Sequence, residues 1–114
     1  MPVELSNPED VKIVTLAKAT RLRTGSEQGA AVRDLDGRTY TAAPVALPSL
    51  RLSALQLAVA MAASSGANGL EAAAVSTDHD IDDADMAAVR DLAGSGVDVI
   101  TADAQGTASS VQQT

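Results

Sequence analysis

The segment Leu70-Glu71-Ala72-Ala73-Ala74-Val75-Ser76-Thr77 constrains this chain more than any other. It is a near-continuous apolar run of strand length, the pattern of a central parallel strand buried on both faces. Flanking segments supply the elements such a strand needs. A helix is predicted from about Pro8 to Arg23: Asn7 can cap it, Pro8 suits its first position, and Glu9 and Asp10 suit its positive end. Its apolar set reads as Val11, Ile13, Val14, Leu16 and Ala17, and Thr24-Gly25-Ser26 ends it. Gly29 to Asp34 and Arg38 to Val45 read as two strands joined by the turn pair Asp36-Gly37, with Pro44 near the end of the second.

A second helix is expected over about Leu50 to Ser65, capped by Ser49 or Ser53 and closed by Gly66. Leu50, Leu52, Leu55, Leu57, Val59 and Met61 leave it little polar face, so burial on several sides is expected. A third helix is expected over about Asp82 to Ala93, ended by Gly94 and Gly96, and a last strand over Val97 to Ala102. The alternation of strands and helices from Arg38 onward implies parallel pairing beside one antiparallel hairpin. Residues 1–103 then form one domain, and 104–114, rich in Gln, Ser and Thr, read as a disordered polar tail.

Composition narrows the function classes. The 114 residues are 46% hydrophobic, yet Phe and Trp are absent and Tyr40 is the only aromatic residue. The core must therefore be built from Ala, Val, Leu and Ile, which bury little area each, so part of the burial is expected from a partner subunit. A net charge of −7 with eight scattered Lys and Arg argues against nucleic acid, and a lone tyrosine argues against base stacking. With no cysteine there is no disulfide, no thiolate nucleophile and no thiolate metal site. No signal pattern and no apolar run of bilayer length is present, so a soluble cytoplasmic protein without membrane contact is expected.

Gly29-Ala30-Ala31-Val32, the Asp36-Gly37 turn, Ser53-Ala54-Leu55 opening a helix that ends Ser64-Ser65-Gly66, the strand Ala72 to Val75, and Arg90 follow one another in an order that resembles the cytidine deaminase family. The resemblance covers roughly Val11 to Ile100. It implies a three-layer α/β/α fold around a mixed sheet of four to five strands, in the order α-β-β-α-β-α-β. It also marks where the family chemistry is missing. Zinc-dependent deaminases need three metal ligands, an activated water and a proton-shuttling Glu. Ser53 stands where the family has the first ligand cysteine of Cys-Ala-Glu, and Leu55 where it has the Glu. Met86 and Val89 take the two cysteine positions of Pro-Cys-Gly-x-Cys, Gln56 replaces an Arg, and Ser26-Glu27-Gln28 replaces a Phe-bearing segment. Pro44-Val45-Ala46 aligns with the ribose-holding Asn-x-Glu, so Pro44 and Ala46 complete the remnant active-site positions. Serine is a poor zinc ligand, methionine a weak one and valine none. Leu55, Met86 and Val89 are accordingly expected to pack as core, with Ser53 as a helix cap.

Asp78-His79-Asp80-Ile81-Asp82-Asp83-Ala84-Asp85 is the densest group of functional side chains. As a calcium loop it fails, because Asp83 stands at the required Gly and Val89 at the bidentate Glu. As structure it is a solvated loop in which Asp80 or Asp82 caps the third helix and Asp85 favours its first turn. Arg51 and Arg90 are candidate contacts for a small anion near two helix starts, set against simple pairing with Asp85 or Asp91. His79 is the only imidazole, so no Ser/His/Asp triad is available. The sequence thus points to a non-catalytic protein without metal or cofactor, working as a homo-oligomer (dimer or tetramer) or with an unidentified protein partner. A ligand sensor holding a nucleoside or small anion in the remnant cleft is the second reading, and an enzyme of other chemistry the third.

Overall fold

In the computed structural model, which describes residues 2–114, the order is α1 (Pro8–Thr24), β1 (Gly29–Asp34), β2 (Thr39–Ala42), β3 (Val45–Leu47), β4 (Leu50–Leu52), α2 (Ala54–Ser64), β5 (Leu70–Ser76), α3 (Asp83–Ala93), β6 (Asp98–Ala102) and β7 (Ala108–Gln113). Local chemistry sets the early boundaries. Asn7 accepts the Glu9 amide at 2.9 Å to start α1, and Gly25, at φ +63°, stops it in the left-handed region open to glycine. Asp34 closes the β1–β2 turn by accepting the amides of Asp36 and Arg38 on one oxygen, at 2.9 Å each, and the Tyr40 hydroxyl on the other, at 2.9 Å.

Five strands form a mixed sheet in the order β2-β1-β5-β6-β7. β5 and β6 pair in parallel, as the sequence pattern predicts. β5 is central, but its other neighbour is β1, which runs antiparallel to both β2 and β5. β2 and β5 therefore share a direction without touching, and the crossover through α2 passes over β1.

Strand alternation sends side chains to two cores. Ala31, Ala72, Ala74 and Ile100 face α1, where Ile13, Val14 and Ala17 meet them. Ala30, Val32, Ala73, Val75 and Val99 face α2 and α3. This is the three-layer α/β/α arrangement expected. Small residues in the sheet let α1 lie close: a Cβ on Gly29 would run into the Ala17 carbonyl oxygen and sit 2.7 Å from the Arg21 amide nitrogen. On the α1 side, Arg33 is buried and holds Asp10 and Glu71 at 2.9 Å each. Burial would lower its pKa, but the two carboxylates outweigh that and raise it, so the guanidinium stays charged.

Several expectations are corrected. α1 buries Ile13, Val14, Ala17 and Thr20, a single stripe, while Val11 is exposed and Leu16 half-buried. The strand expected to reach Val45 stops at Ala42, and Leu50 to Leu52 is not helical. Val45–Leu47 and Leu50–Leu52 instead pair as a separate hairpin turned by Pro48-Ser49, where proline suits a turn better than a ladder. α2 begins at Ala54, four residues after the expected start at Leu50, and it buries only Ala54, Leu55, Ala58, Val59 and Ala62, leaving Met61 exposed. The segment expected to be a disordered tail is ordered: Asp103 Oδ1 accepts the amides of Gln105 (3.0 Å) and Thr107 (2.9 Å), and β7 then pairs antiparallel with β6. Its neighbour β6, not its own polarity, makes it a strand. No helix among the described residues is long and apolar enough to cross a membrane.

Candidate functional site

The starts of α2 and α3 meet beside the sheet. Ser53 is the N-cap of α2, in extended conformation, and forms a reciprocal capping box with Gln56: its Oγ accepts the Gln56 amide at 3.0 Å, and its own amide donates to Gln56 Oε1 at 3.0 Å. Ser53 is thus the cap expected of it. Its hydroxyl proton has a further destination, Asp85 Oδ1 at 2.9 Å, in the first turn of α3. Asp85 is only 5% exposed. Burial pushes its carboxyl above the ordinary value, the Ser53 hydrogen bond pulls it back, and the charge of Asp82 adds to the upward push.

Sequence reasoning placed Asp85 in the first turn but missed its burial. The signal was available: Asp85, Met86 and Val89 stand at i, i+1 and i+4, one face of a helix, and that face is the buried one. Leu55 (0% exposed), Met86 (5%) and Val89 (0%) belong to one apolar cluster with Val59, Val75 and Val99. Around the two helix starts the donor set is therefore a committed hydroxyl, a buried thioether and a valine, which does not fit zinc.

The other candidates disperse. Pro44 is exposed between β2 and β3, and Ala46 is exposed on β3, opposite Arg51 on β4. Arg51 precedes α2 as expected, but Arg90 lies in the last turn of α3, at the opposite end from Asp85. Neither arginine is in an ion pair among the described residues, so the expected pairing with Asp85 or Asp91 is replaced, for Asp85, by Ser53. In the acidic loop, Asp78 binds Arg21 at 3.0 Å and Asp82 stands at the N-cap of α3 without a side-chain cap bond. His79 is exposed, its amide donating to Thr77 Oγ1 at 3.2 Å. Among the described residues no three His, Cys, Asp or Glu side chains converge closely enough to hold a metal ion.

Comparison with known proteins places this geometry. A family model described as cytidine deaminase-like matches residues 6–106. Among solved structures, the cytidine deaminase from Burkholderia pseudomallei is 23% identical with a TM-score of 0.74, over 90% of this chain and 89% of that one. The cytidine deaminase from Mycobacterium leprae is 20% identical with a TM-score of 0.71, over 95% and 94%. That from Mycobacterium tuberculosis is 21% identical with a TM-score of 0.70, over 82% and 85%. No curated protein matches the chain. At these identities the structural likeness speaks to the fold.

Proposed function

The chain belongs to the cytidine deaminase-like family, and within that family we propose that it is a non-catalytic member working as an oligomeric structural or interaction module. The observation that carries this reading is the packing of Leu55, Met86 and Val89 in one core cluster, at positions the family resemblance gives to the proton shuttle and two zinc ligands. Hydrolytic deamination requires a metal-activated water and a carboxylate that moves its proton. An apolar cluster offers neither, and the Ser53 hydroxyl is already shared between Gln56 and Asp85.

The module half of the proposal rests on the outer surface. Met61, Leu47 and Leu50 are exposed, and a shallow groove of about 360 Å³ between α2 and α3 is lined largely by Val59, Ala60, Ala63, Ala88 and Leu92. Small side chains of this kind allow close approach of a partner helix. Elemental analysis of protein purified in the presence of zinc is expected to find substoichiometric metal, with no turnover of cytidine. Sedimentation at micromolar concentration is expected to find a dimer or larger. Stoichiometric zinc with turnover would overturn the first half, and a strict monomer the second.

A further inference from the structure

A second concavity is lined in part by the loop that leads into α3. It is a cleft of about 670 Å³ where β5 and β6 end. It shares no residue with the Ser53, Leu55, Met86 and Val89 positions. Thr101 is in register with Val75 on one side and Ser110 on the other, so all three present their side chains to the α2/α3 side of the sheet, and Thr77 and Asp103 follow two residues on along the same face. Thr77, Thr101 and Ser110 thereby form a hydroxyl floor, with His79 and Asp80 on one wall and Asp103 on the other.

Thr101 is the telling residue. It is 6% exposed, lines this cleft, and its Oγ1 has no hydrogen-bond partner. Buried hydroxyls are nearly always paired, and a valine would fit this strand position without the cost of an unpaired oxygen. The neighbouring Thr77 shows the usual arrangement, its Oγ1 taking the His79 amide. Beside Thr101 two carboxylates keep free acceptor oxygens: Asp80 makes no ion pair or side-chain hydrogen bond among the described residues, and Asp103 commits Oδ1 alone to its turn. No Lys or Arg lines the cleft, which excludes phosphate and carboxylate ligands by charge.

We propose that this cleft binds a small organic amine that carries a second hydrogen-bonding group: the ammonium lies between Asp80 and Asp103, and a hydroxyl or amine of the same molecule pairs with Thr101 Oγ1. A protonated amine supplies three donors to a site rich in acceptors. The volume falls within the range of small-molecule sites, about 300–1,000 Å³. The site is independent of the catalytic status of the helix starts.

The test is a titration of amide chemical shifts and calorimetry on the full chain with glucosamine and spermidine, against glucose, inorganic phosphate and magnesium chloride. Glucosamine or spermidine is expected to move the amides of His79, Thr101 and Ser110, with glucose about tenfold weaker for want of the charge. Asp80→Asn should weaken the amine by about tenfold and Thr101→Val by about threefold, the latter without lowering the melting temperature. Absence of amine binding, equal binding by glucose or phosphate, saturation by magnesium, or unchanged affinity in both variants would each overturn the proposal.

Discussion

The bond between Ser53 and Asp85 joins two helix starts, and its loss can be worked out from the structure. Ser53→Ala removes the α2 cap, which costs about 1 kcal/mol. It also strands a carboxylate that is 5% exposed and accepts from Ser53 at 2.9 Å, which adds about 1–3 kcal/mol. The single variant should therefore lose about 2–4 kcal/mol of stability in urea unfolding. In an Asp85→Ala background the same substitution removes only the cap, about 1 kcal/mol, leaving a coupling of about 1–3 kcal/mol. The pH dependence has a definite sign. Burial raises the Asp85 carboxyl in the folded state above its unfolded value near 3.8, so its contribution is fully present below 3.8 and is lost as pH rises through the folded value. Ser53 opposes that loss by stabilising the charged form. The penalty of Ser53→Ala should thus be greatest at neutral pH and shrink in acid. Equal penalties with and without Asp85, or a larger penalty in acid, would refute the reasoning.

Other perturbations bear on the rest of the fold. Gly29→Ala drives a methyl into the backbone of α1 at Ala17 and Arg21 and should cost about 2 kcal/mol or more by urea unfolding; an unchanged midpoint would show that α1 is free to shift. Arg33→Ala leaves Asp10 and Glu71 without their cation and should cost about 1–3 kcal/mol, since both carboxylates keep some access to water, whereas Asp10→Asn should cost less because Glu71 still holds the guanidinium at 2.9 Å. Removing residues 108–114 strips β6 of its antiparallel neighbour, so Ile100 should lose hydrogen-exchange protection while Ala31, between β2 and β5, keeps more of its own. For Asp34, burial would raise the carboxyl, but the Tyr40 hydroxyl and the Arg38 and Asp36 amides hold it below the ordinary value. Its contribution is therefore present above that value and lost as pH falls through the folded one, and Tyr40→Phe should move the acid unfolding midpoint to higher pH, read by circular dichroism.

How much of the fold can be read from the sequence depends on where the determining interaction lies. α1, β1 and the first turn are legible because their causes are local: Asn7, Gly25 and Asp34 act within a few residues of themselves. Leu50 and Leu52 are not, because three residues of apolar alternation fit a strand and a helix start equally well, and pairing with Val45–Leu47 decides. The segment from Ala108 to Gln113 carries almost no hydrophobic pattern, since an edge strand half in solvent needs none. Its one local signal is the Asp103 to Gly106 turn, whose Asp accepts two amides ahead of it.

The same division explains the site. The family resemblance picks out Ser53, Leu55, Met86 and Val89, but residue identity does not say what joins the two helices. That answer needs Asp85 to be placed on the buried face with Met86 and Val89. Both helix starts carry partial positive charge, and here that charge faces a carboxylate. The Asp85 charge, tied to the α2 cap by one hydrogen bond, supplies the negative group that two converging N-termini favour. A leucine-to-glutamate change at Leu55 alone would thus put a carboxylate inside an apolar cluster, with no cation in it to pair that charge. A carboxylate so placed ionises only at high cost. On the proposed reading, a proton-shuttling carboxylate at position 55 therefore requires the apolar cluster around Met86 and Val89 to change with it.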